Sequence, residues 1–307
     1  MNIIVSGSLA YDRIMDFPGY FSDHILPDKI HALNVCFQVN SLKEKFGGTA
    51  GNIAYALALM GEHPIICATI GKDYDRYFEW LKRNGISTSY IKIMEDEFTA
   101  GAYITTDMAD NQITGFNPGA MRYPTAMDFD SLNPQETLVI VSPGNLEDMS
   151  NYPRICKERG IQYIFDPGQS LPVLEKKDLI QAIEGCRILI CNDYELDLIM
   201  NKTGVKKDVL TKLAGAVITT MGQLGSHVST LDYEISIPVA KARKVEDPTG
   251  AGDSFRGGLI SGMVRGKNLE QCAMIGSVCA SFTVECYGTQ EYSFTPEEFN
   301  ERLQEIQ

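Results

Sequence analysis

Residues 137–168 read TLVIVSPGNLEDMSNYPRICKERGIQYIFDPG, with two short apolar runs on either side of a longer amphipathic segment. The apolar runs are rich in β-branched residues and end at Pro-Gly, which is typical of strands, whereas residues 148–160 have the apolar period of a helix. Buried strands that are separated by a helix pair in parallel. The stretch therefore predicts one strand–helix–strand unit of a parallel sheet.

The same alternation continues along the chain from residue 47 onward. Further strand-like runs read PIICATIG, CRILICND and GAVITTMG, and further helical segments read AGNIAYALALMG and DYDRYFEWLKRNG. Strands that are buried on both faces and separated by helices imply a sheet with a helical layer on each side. We therefore predict an α/β fold with a doubly wound, mostly parallel sheet.

Two stretches, residues 11–46 and 99–118, lack the helical period. Their apolar and polar residues alternate, with turn residues between, which predicts antiparallel strands inserted into the α/β order. We expect the two insertions to form one small sheet that acts as a lid over the carboxyl ends of the main strands, where ligands bind in open α/β sheets. The predicted core then comprises residues 1–10, 47–98 and 119–307.

Composition limits the classes of partner. The chain has 27 Lys and Arg against 40 Asp and Glu, which gives a formal net charge of −13 and disfavours nucleic acid and anionic membrane surfaces as partners.

No run approaches the roughly 18 apolar residues of a membrane helix, and the first residues do not resemble an export signal. The eight cysteines include no CxxC pair, which indicates small core residues rather than disulfides. We expect a cytoplasmic protein.

The strongest chemical signal is DPTGAGDSF at residues 247–255, directly before a helical pattern. Gly250, Ala251 and Gly252 place free backbone N–H groups at a helix N-terminus, which is a ready anion site, but the Lys and Ser or Thr of a P-loop are missing. Asp253 could accept a proton from an attacking hydroxyl while the N–H groups stabilise a transferred phosphoryl group. Taken alone, the segment could equally be a turn glycine and a first-turn acid.

Four motifs in order resemble the ribokinase-like, or PfkB, family of carbohydrate and nucleoside kinases. They are FGGTAGN at residues 46–52, NDYE at 192–195, TMGQLG at 220–225 and DPTGAGDSFRGG at 247–258. The resemblance extends over residues 6–290 and implies the ribokinase-like fold and an ATP-dependent kinase. It implies Asp253 as the catalytic base, and Gly250, Ala251 and Gly252 as the anion hole.

Within this family the chain is similar to bacterial adenosine kinases, through segments that include GSLAYD at residues 7–12 and FNPGAM at 116–121. This similarity implies phosphorylation of the 5′-hydroxyl of a nucleoside, with adenosine as the expected substrate. The residues implied to bind the nucleoside are Ser8, Asp12, Gly48, Asn52, Phe116 and Gln169. Asp12 suits the ribose diol because a carboxylate accepts hydrogen bonds from both hydroxyls. Phe116 is implied to stack on the purine, although it could instead be the core of the small sheet.

Two positions depart from the bacterial pattern, which carries a second aromatic residue near Ala102 and a second glutamine at Ser170. Inosine or guanosine and a free sugar such as ribose therefore stay open as alternative substrates. A nucleoside-binding protein without catalytic activity is a third alternative, but such a protein has no use for a base beside an anion hole.

The resemblance also implies the ATP site. The residues implied to bind ATP are Asn192, Thr220, Gly222 and Gly225, and Glu195 is implied to hold Mg²⁺ through water, because this ion keeps much of its hydration shell. The alternatives are a simple strand-to-strand turn and a first-turn helix acid. A monovalent cation such as K⁺ would lie near residues 247–249 and 287–290. Arg256 could neutralise phosphate charge or could be a surface residue.

A small sheet of short strands has exposed edges. Pairing those edges between two copies of the chain would protect them, so the sequence is compatible with a homodimer through the lid.

Overall fold

The computed structural model describes residues 1–307. The strands, in chain order, are β1 (Asn2–Ser6), β2 (Ala10–Asp16), β3 (Leu42–Gly47), β4 (Pro64–Gly71), β5 (Ile91–Met94), β6 (Ala100–Thr106), β7 (Gln112–Asn117), β8 (Thr137–Val141), β9 (Gln162–Phe165), β10 (Ile188–Asn192), β11 (Val217–Thr220), β12 (Ser226–Ser229) and β13 (Glu234–Ile237). The helices are α1 (Thr49–Leu59), α2 (Asp75–Arg83), α3 (Leu146–Arg159), α4 (Lys176–Ile183), α5 (Asp193–Thr203), α6 (Lys207–Leu213), α7 (Ala251–Val264), α8 (Leu269–Thr283) and α9 (Pro296–Gln304).

The main sheet has nine strands in the order β13-β12-β11-β10-β9-β8-β1-β4-β5. Its neighbouring strands are parallel, except that β12 is antiparallel to both β11 and β13 at one edge. The chain first extends the sheet from β1 to β4 and β5, and later adds β8 to β11 on the other side of β1. The predicted doubly wound, mostly parallel sheet is therefore confirmed. Its switch point lies between β1 and β8, where such sheets bind ligands beyond the strand carboxyl ends.

Strand β1 explains why helices cover both faces. Ile3 and Val5 pack in one apolar cluster with residues of α1 and α7, whereas Ile4 packs in a second cluster with residues of α3 and α4. Successive side chains of a strand point to opposite faces, so a strand between two helical layers needs an apolar residue at every position. None of the helices combines the length and apolar composition needed to cross a bilayer.

The small sheet is built by both insertions and has the order β3-β2-β6-β7. The outer pairs, β2 with β3 and β6 with β7, are antiparallel as expected, but the central pair of β2 and β6 is parallel. The expectation of antiparallel strands throughout is therefore wrong at the centre. Because β2 and β6 are the first strands of their insertions, both leave the core in the same direction and can only pair in parallel.

The first insertion also contains less strand than its sequence predicts. Between β2 and β3 the chain forms 3₁₀ turns at Phe21–Asp23 and Pro27–Ala32. Phe17, Phe21 and Phe37 pack together there, with ring centroids 4.9 to 5.6 Å apart. These aromatic residues therefore form a local cluster and do not line one face of a sheet.

Candidate active site

The N-terminus of α7 is an open group of backbone donors. Gly250 precedes the helix with a φ of +80°, a conformation that favours glycine. The N–H of Ala251 bonds to a preceding carbonyl, but those of Gly252 and Asp253 have no acceptor within the protein. Unpaired N–H groups and the helix dipole together favour an anion at this position.

Asp253 lies beside these donors and is held through one carboxylate oxygen. Asn52 Nδ2 in α1 donates to Asp253 Oδ2 at 2.7 Å, while Oδ1 makes no hydrogen bond. Burial raises the pKa of Asp253 to about 6 against the opposing effects of Arg256 and Asn52, and the carboxylates of Asp166 and Glu195 raise it further. The side chain is therefore ionised at neutral pH and has a free oxygen to accept a proton.

Arg256 is buried one turn after Asp253, so the alternative of a surface residue is wrong. Its Nη2 donates to Asp166 Oδ1 at 2.8 Å, and its Nη1 donates to the carbonyl of Gly252 at 2.8 Å. Loss of one partner of a buried ion pair leaves an uncompensated charge. The pair with Asp166, which follows β9, therefore holds the first turns of α7 against the end of β9.

A cavity of about 280 Å³ opens in front of Asp253. It brings together most of the residues that the sequence predicts for catalysis and ATP binding, and its wall includes Gln169, Asn192, Glu195, Thr220, Gly250 and Gly252. The side chains of Ser8, Asp12 and Phe116 do not line it.

A second, mostly apolar cavity of about 420 Å³ adjoins the first, because Thr220 and Gly252 line both. Its apolar wall is formed by Val239, Ala240, Val245, Phe255, Ala280 and Val284. Apart from Phe255, these residues belong to no motif and were missed by the sequence reasoning. An apolar cavity beside an anion site can hold an aromatic base attached to phosphates.

The loop between β11 and β12 borders the apolar cavity through Gly222 and Gly225. Both have positive φ, of +54° and +86°, and a Cβ on Gly225 would lie 2.1 Å from the carbonyl oxygen of Ile237. The segment is thus both a strand-to-strand turn and part of the cavity wall. A turn and an ATP-binding loop are alternatives on the sequence alone, and these two interpretations do not exclude each other.

Asn192 and Glu195 form a capping box at the start of α5. The Asn192 N–H donates to Glu195 Oε2 at 2.8 Å, and the Glu195 N–H donates to Asn192 Oδ1 at 2.7 Å. Burial raises the pKa of Glu195. No group of three or more His, Cys, Asp or Glu side chains is arranged to hold a metal ion directly. The donors present therefore fit a hydrated Mg²⁺ that is bound mainly by phosphates, with Glu195 acting through water.

Ser8 and Gly48 build the start of α1. Ser8 is buried, and its Oγ accepts a hydrogen bond from the Thr49 N–H at 3.1 Å. Gly48 has a φ of +90°, and a Cβ there would lie 2.6 Å from the Ser8 carbonyl oxygen. These residues hold the turn that positions Asn52.

Asp12 projects from the small sheet and accepts no hydrogen bond from the protein. Burial raises its pKa, and the nearby charge of Asp247 raises it further. A Cβ on Gly47 would lie 2.6 Å from Asp12 Oδ2, so the carboxylate rests against the backbone that leads into α1. Asp12 is therefore free to bind hydroxyl donors.

Asp12, Ala102 and Phe116 form one row across the small sheet. Asp12 on β2 is the register partner of Ala102 on β6, and Ala102 is the register partner of Phe116 on β7. Register partners point to the same face, and adjacent strands lie about 4.8 Å apart, so Phe116 is roughly 10 Å from Asp12. Phe116 is 54% exposed, which shows that it is not a core residue of the small sheet.

Comparison with known proteins identifies the family of this chain. The family model for pfkB family carbohydrate kinases matches residues 10–297. A nucleoside kinase of Methanocaldococcus jannaschii is 35% identical over 280 residues, which cover 90% of this chain and 91% of that protein.

Two solved structures are similar over nearly the whole chain. The nucleoside kinase of Burkholderia thailandensis in complex with inosine has a TM-score of 0.85 at 35% identity, with 99% of this chain and 97% of that chain covered. The M. jannaschii nucleoside kinase, an archaeal member of the ribokinase family, has a TM-score of 0.88 at 33% identity, with 99% of each chain covered. Since the family model spans most of the sequence and the fold is ribokinase-like, the protein belongs to the pfkB family of carbohydrate kinases.

Proposed function

We propose that this protein transfers the γ-phosphoryl group of ATP to the 5′-hydroxyl of a purine nucleoside. The observation that carries the nucleoside assignment is the row of Asp12, Ala102 and Phe116 on one face of the small sheet. The sequence favours adenosine as the substrate, and the B. thailandensis relative binds inosine. Both nucleosides have the ribose diol and the purine that this row fits.

Each member of the row meets one part of a nucleoside. Asp12 accepts hydrogen bonds from the 2′- and 3′-hydroxyls, since an ionised carboxylate is an acceptor only. The exposed ring of Phe116 offers a stacking surface for the base, and the small side chain of Ala102 leaves room between them. A kinase for free ribose needs the carboxylate but not an exposed aromatic ring two strands away.

The phosphoryl transfer is carried by Asp253 and the start of α7. The 5′-hydroxyl donates its proton to Asp253 Oδ1, while Asn52 holds Oδ2. The free N–H groups of Gly252 and Asp253 stabilise the charge that spreads over the transferred phosphoryl group. Burial, assisted by the carboxylates of Asp166 and Glu195, raises the pKa of Asp253 to about 6 and makes it a stronger base than an ordinary aspartate.

ATP fits the two adjoining cavities. Its phosphates lie along the wall shared by Thr220 and Gly252, and its adenine enters the apolar cavity. Asn192 borders the phosphate side, and Glu195 would hold Mg²⁺ through water. The bound ion neutralises phosphate charge. We also propose a monovalent cation near Asp247, whose Oδ2 accepts a hydrogen bond of 3.4 Å from the Gly288 N–H and so joins the two segments implied by the sequence.

The small sheet is proposed to act as the lid, with residues 11–46 and 99–118 closing over the nucleoside. Its outer strands β3 and β7 are sheet edges in this chain. Pairing of one such edge with a second copy would give the homodimer, and sedimentation would detect it.

The proposal is tested by measuring ADP formation from ATP with adenosine, inosine, guanosine and ribose in parallel. We expect turnover with at least one purine nucleoside, and a kcat about 10²- to 10⁴-fold lower for Asp253→Asn with little change in substrate affinity. Higher kcat/KM on ribose than on every nucleoside would contradict the nucleoside assignment. Wild-type turnover by Asp253→Asn would contradict the chemistry.

A further inference from the structure

A continuous chain of side-chain hydrogen bonds leads from the surface of α2 to Asp253. Trp80 Nε1 on α2 donates to Gln290 Oε1 at 2.8 Å. Asn52 Oδ1 accepts hydrogen bonds from Gln290 Nε2 at 3.0 Å and from the Thr289 hydroxyl at 2.7 Å, and Asn52 Nδ2 donates to Asp253 Oδ2 at 2.7 Å. Gln290 and Asn52 are buried, so water does not replace these contacts.

The direction of the chain is fixed by Trp80. An amide side chain turned end for end keeps its shape, so its oxygen and nitrogen are distinguished only by what they contact. An indole N–H can only donate, so Gln290 must present its oxygen to Trp80 and its nitrogen to Asn52. Asn52 then accepts with its own oxygen, which leaves its Nδ2 to face Asp253.

Tyr77 fixes the same orientation from a second side. Its hydroxyl donates to the Gly47 carbonyl at 2.7 Å, and a carbonyl can only accept. The Tyr77 oxygen therefore accepts from Gln290 Nε2 at 2.9 Å. A Cβ on Gly51 would lie 2.1 Å from the Tyr77 oxygen, so this contact requires the glycine of α1.

We propose that Gln290 is a positioning residue for phosphoryl transfer, because together with the Thr289 hydroxyl it orients the Asn52 amide so that Asp253 receives a donor at Oδ2 and keeps Oδ1 for the substrate proton. With the Asn52 amide reversed, an amide oxygen would face the carboxylate and repel it. The inference rests on the proposed function, since that function makes Asp253 the base. It assigns a role to Trp80 and Gln290, which line neither of the two cavities.

Other titratable groups also surround Asp253. They are Arg256 on the same helix, Asp166 after β9, Glu195 on α5 and the phenol of Tyr292. None of them belongs to the chain from Trp80. Substitution of Gln290 therefore removes one of the two donors that orient the Asn52 amide and leaves these charges in place.

The test is the pH dependence of kcat/KM for Gln290→Met, a neutral and unbranched replacement that can neither accept from Trp80 nor donate to Asn52. A donor to a carboxylate favours its charged form, so loss of the ordered donor raises the pKa of the base. We expect the acidic limb of the pH profile of kcat/KM, where activity falls as the base is protonated, to shift to higher pH by about one unit. Trp80→Phe should move it in the same direction by less, because Tyr77 still holds Gln290.

The matched control is Tyr55→Phe. Tyr55 stacks on Trp80 with centroids 5.8 Å apart and donates a buried hydrogen bond of 2.6 Å to the Tyr292 carbonyl. It therefore belongs to the same aromatic cluster but has no link to Asn52. We expect this variant to lose stability while its acidic limb stays at the wild-type pH.

A second readout does not depend on turnover. The carboxyl carbon of Asp253 in ¹³C-Asp-labelled free protein, assigned by its absence in Asp253→Asn, should titrate at higher pH in Gln290→Met than in the wild type. Wild-type titration and an unmoved acidic limb in Gln290→Met would overturn the inference, even if Asp253→Asn is inactive. If Gln290→Met does not fold, the pH profile of kcat/KM and the titration of the Asp253 carboxyl carbon are measured on Trp80→Phe, and wild-type values there would overturn the inference. Full activity of Asp253→Asn would instead overturn the proposed function.

Discussion

Asp12 and Phe116 lie on one face of the small sheet, two strands apart, with only the methyl group of Ala102 between them. The Asp12 carboxylate accepts no hydrogen bond from the protein, and the Phe116 ring is half-exposed. The distance between the two side chains matches the length of a nucleoside. The opposite face is different, because there Arg13 forms an ion pair with Glu44 at 2.9 Å and stacks on Tyr103. The first face therefore presents an unpaired carboxylate and an exposed ring to a ligand, whereas the charge of Arg13 on the opposite face is already paired.

Replacing Asp12 by Ala should raise KM for the nucleoside and lower kcat/KM by about 10²-fold or more. The change removes two hydrogen bonds to a charged acceptor, each worth about 1.5–3 kcal/mol. Steady-state kinetics measures the effect, and 2′-deoxyadenosine should be a poor substrate of the unmodified protein. Asp16→Ala, an exposed acid farther along β2, is the control and should behave as wild type. Equal efficiency on adenosine and its 2′-deoxy form would show that Asp12 does not bind the diol.

Replacing Phe116 by Ala should lower kcat/KM for adenosine by the equivalent of about 1–3 kcal/mol, because the purine loses its stacking partner. Any weak activity on ribose should hardly change. The control is Ile113→Ala, which removes another exposed apolar side chain from β7 but on the opposite face. An equal loss of kcat/KM on adenosine and ribose would show that Phe116 stabilises the lid and does not stack on the purine.

Filling the apolar cavity with Ala280→Phe should raise KM for ATP at least about tenfold, since the new ring occupies the space proposed for adenine. KM for the nucleoside should stay within about twofold of wild type, because Asp12 and Phe116 lie on the other sheet. Calorimetric titration with ADP measures the same change without turnover. An unaltered affinity for ADP would place the adenine elsewhere.

Replacing Asp253 by Asn should stabilise the protein at neutral pH. The pKa of Asp253 is raised to about 6 on folding, so the folded state binds more protons than the unfolded state between pH 4 and 6, and stability falls as the pH rises through that window. The amide does not titrate, and we expect a gain of about 1–3 kcal/mol at pH 7.5. Thermal melts of both proteins at pH 5.0 and 7.5 check this. The difference should shrink at the lower pH, and a variant that melts lower at pH 7.5 would contradict the raised pKa.

Local sequence patterns predicted the elements of the core well. The run PIICATIG coincides with β4, and the segment AGNIAYALALMG contains nearly all of α1. These elements are decided by their own apolar period, which is visible in a single stretch of chain. The motif at residues 247–255 likewise predicted the start of α7, because a helix N-terminus depends on neighbouring residues only.

Features that join distant segments were not predictable in this way. The parallel pairing of β2 with β6 depends on where each insertion leaves the core, and no residue of either strand encodes it. The ion pair of Arg256 with Asp166 joins residues 90 positions apart, so the helix sequence alone did not distinguish a buried arginine from one on a solvated helix face. Gln290 entered the sequence analysis only within residues 287–290, implied to lie near a monovalent cation, since its contact with Trp80 spans 210 positions.

The most direct test of the account is an internal competition in which adenosine, inosine and ribose are supplied at equal concentration with limiting ATP. The phosphorylated products, separated and identified by mass spectrometry, give the ratio of the three kcat/KM values in one reaction. We expect nucleoside 5′-monophosphates to take nearly all of the transferred phosphate, and this preference to fall in Phe116→Ala. Ribose phosphate as the main product of the unmodified protein would contradict it.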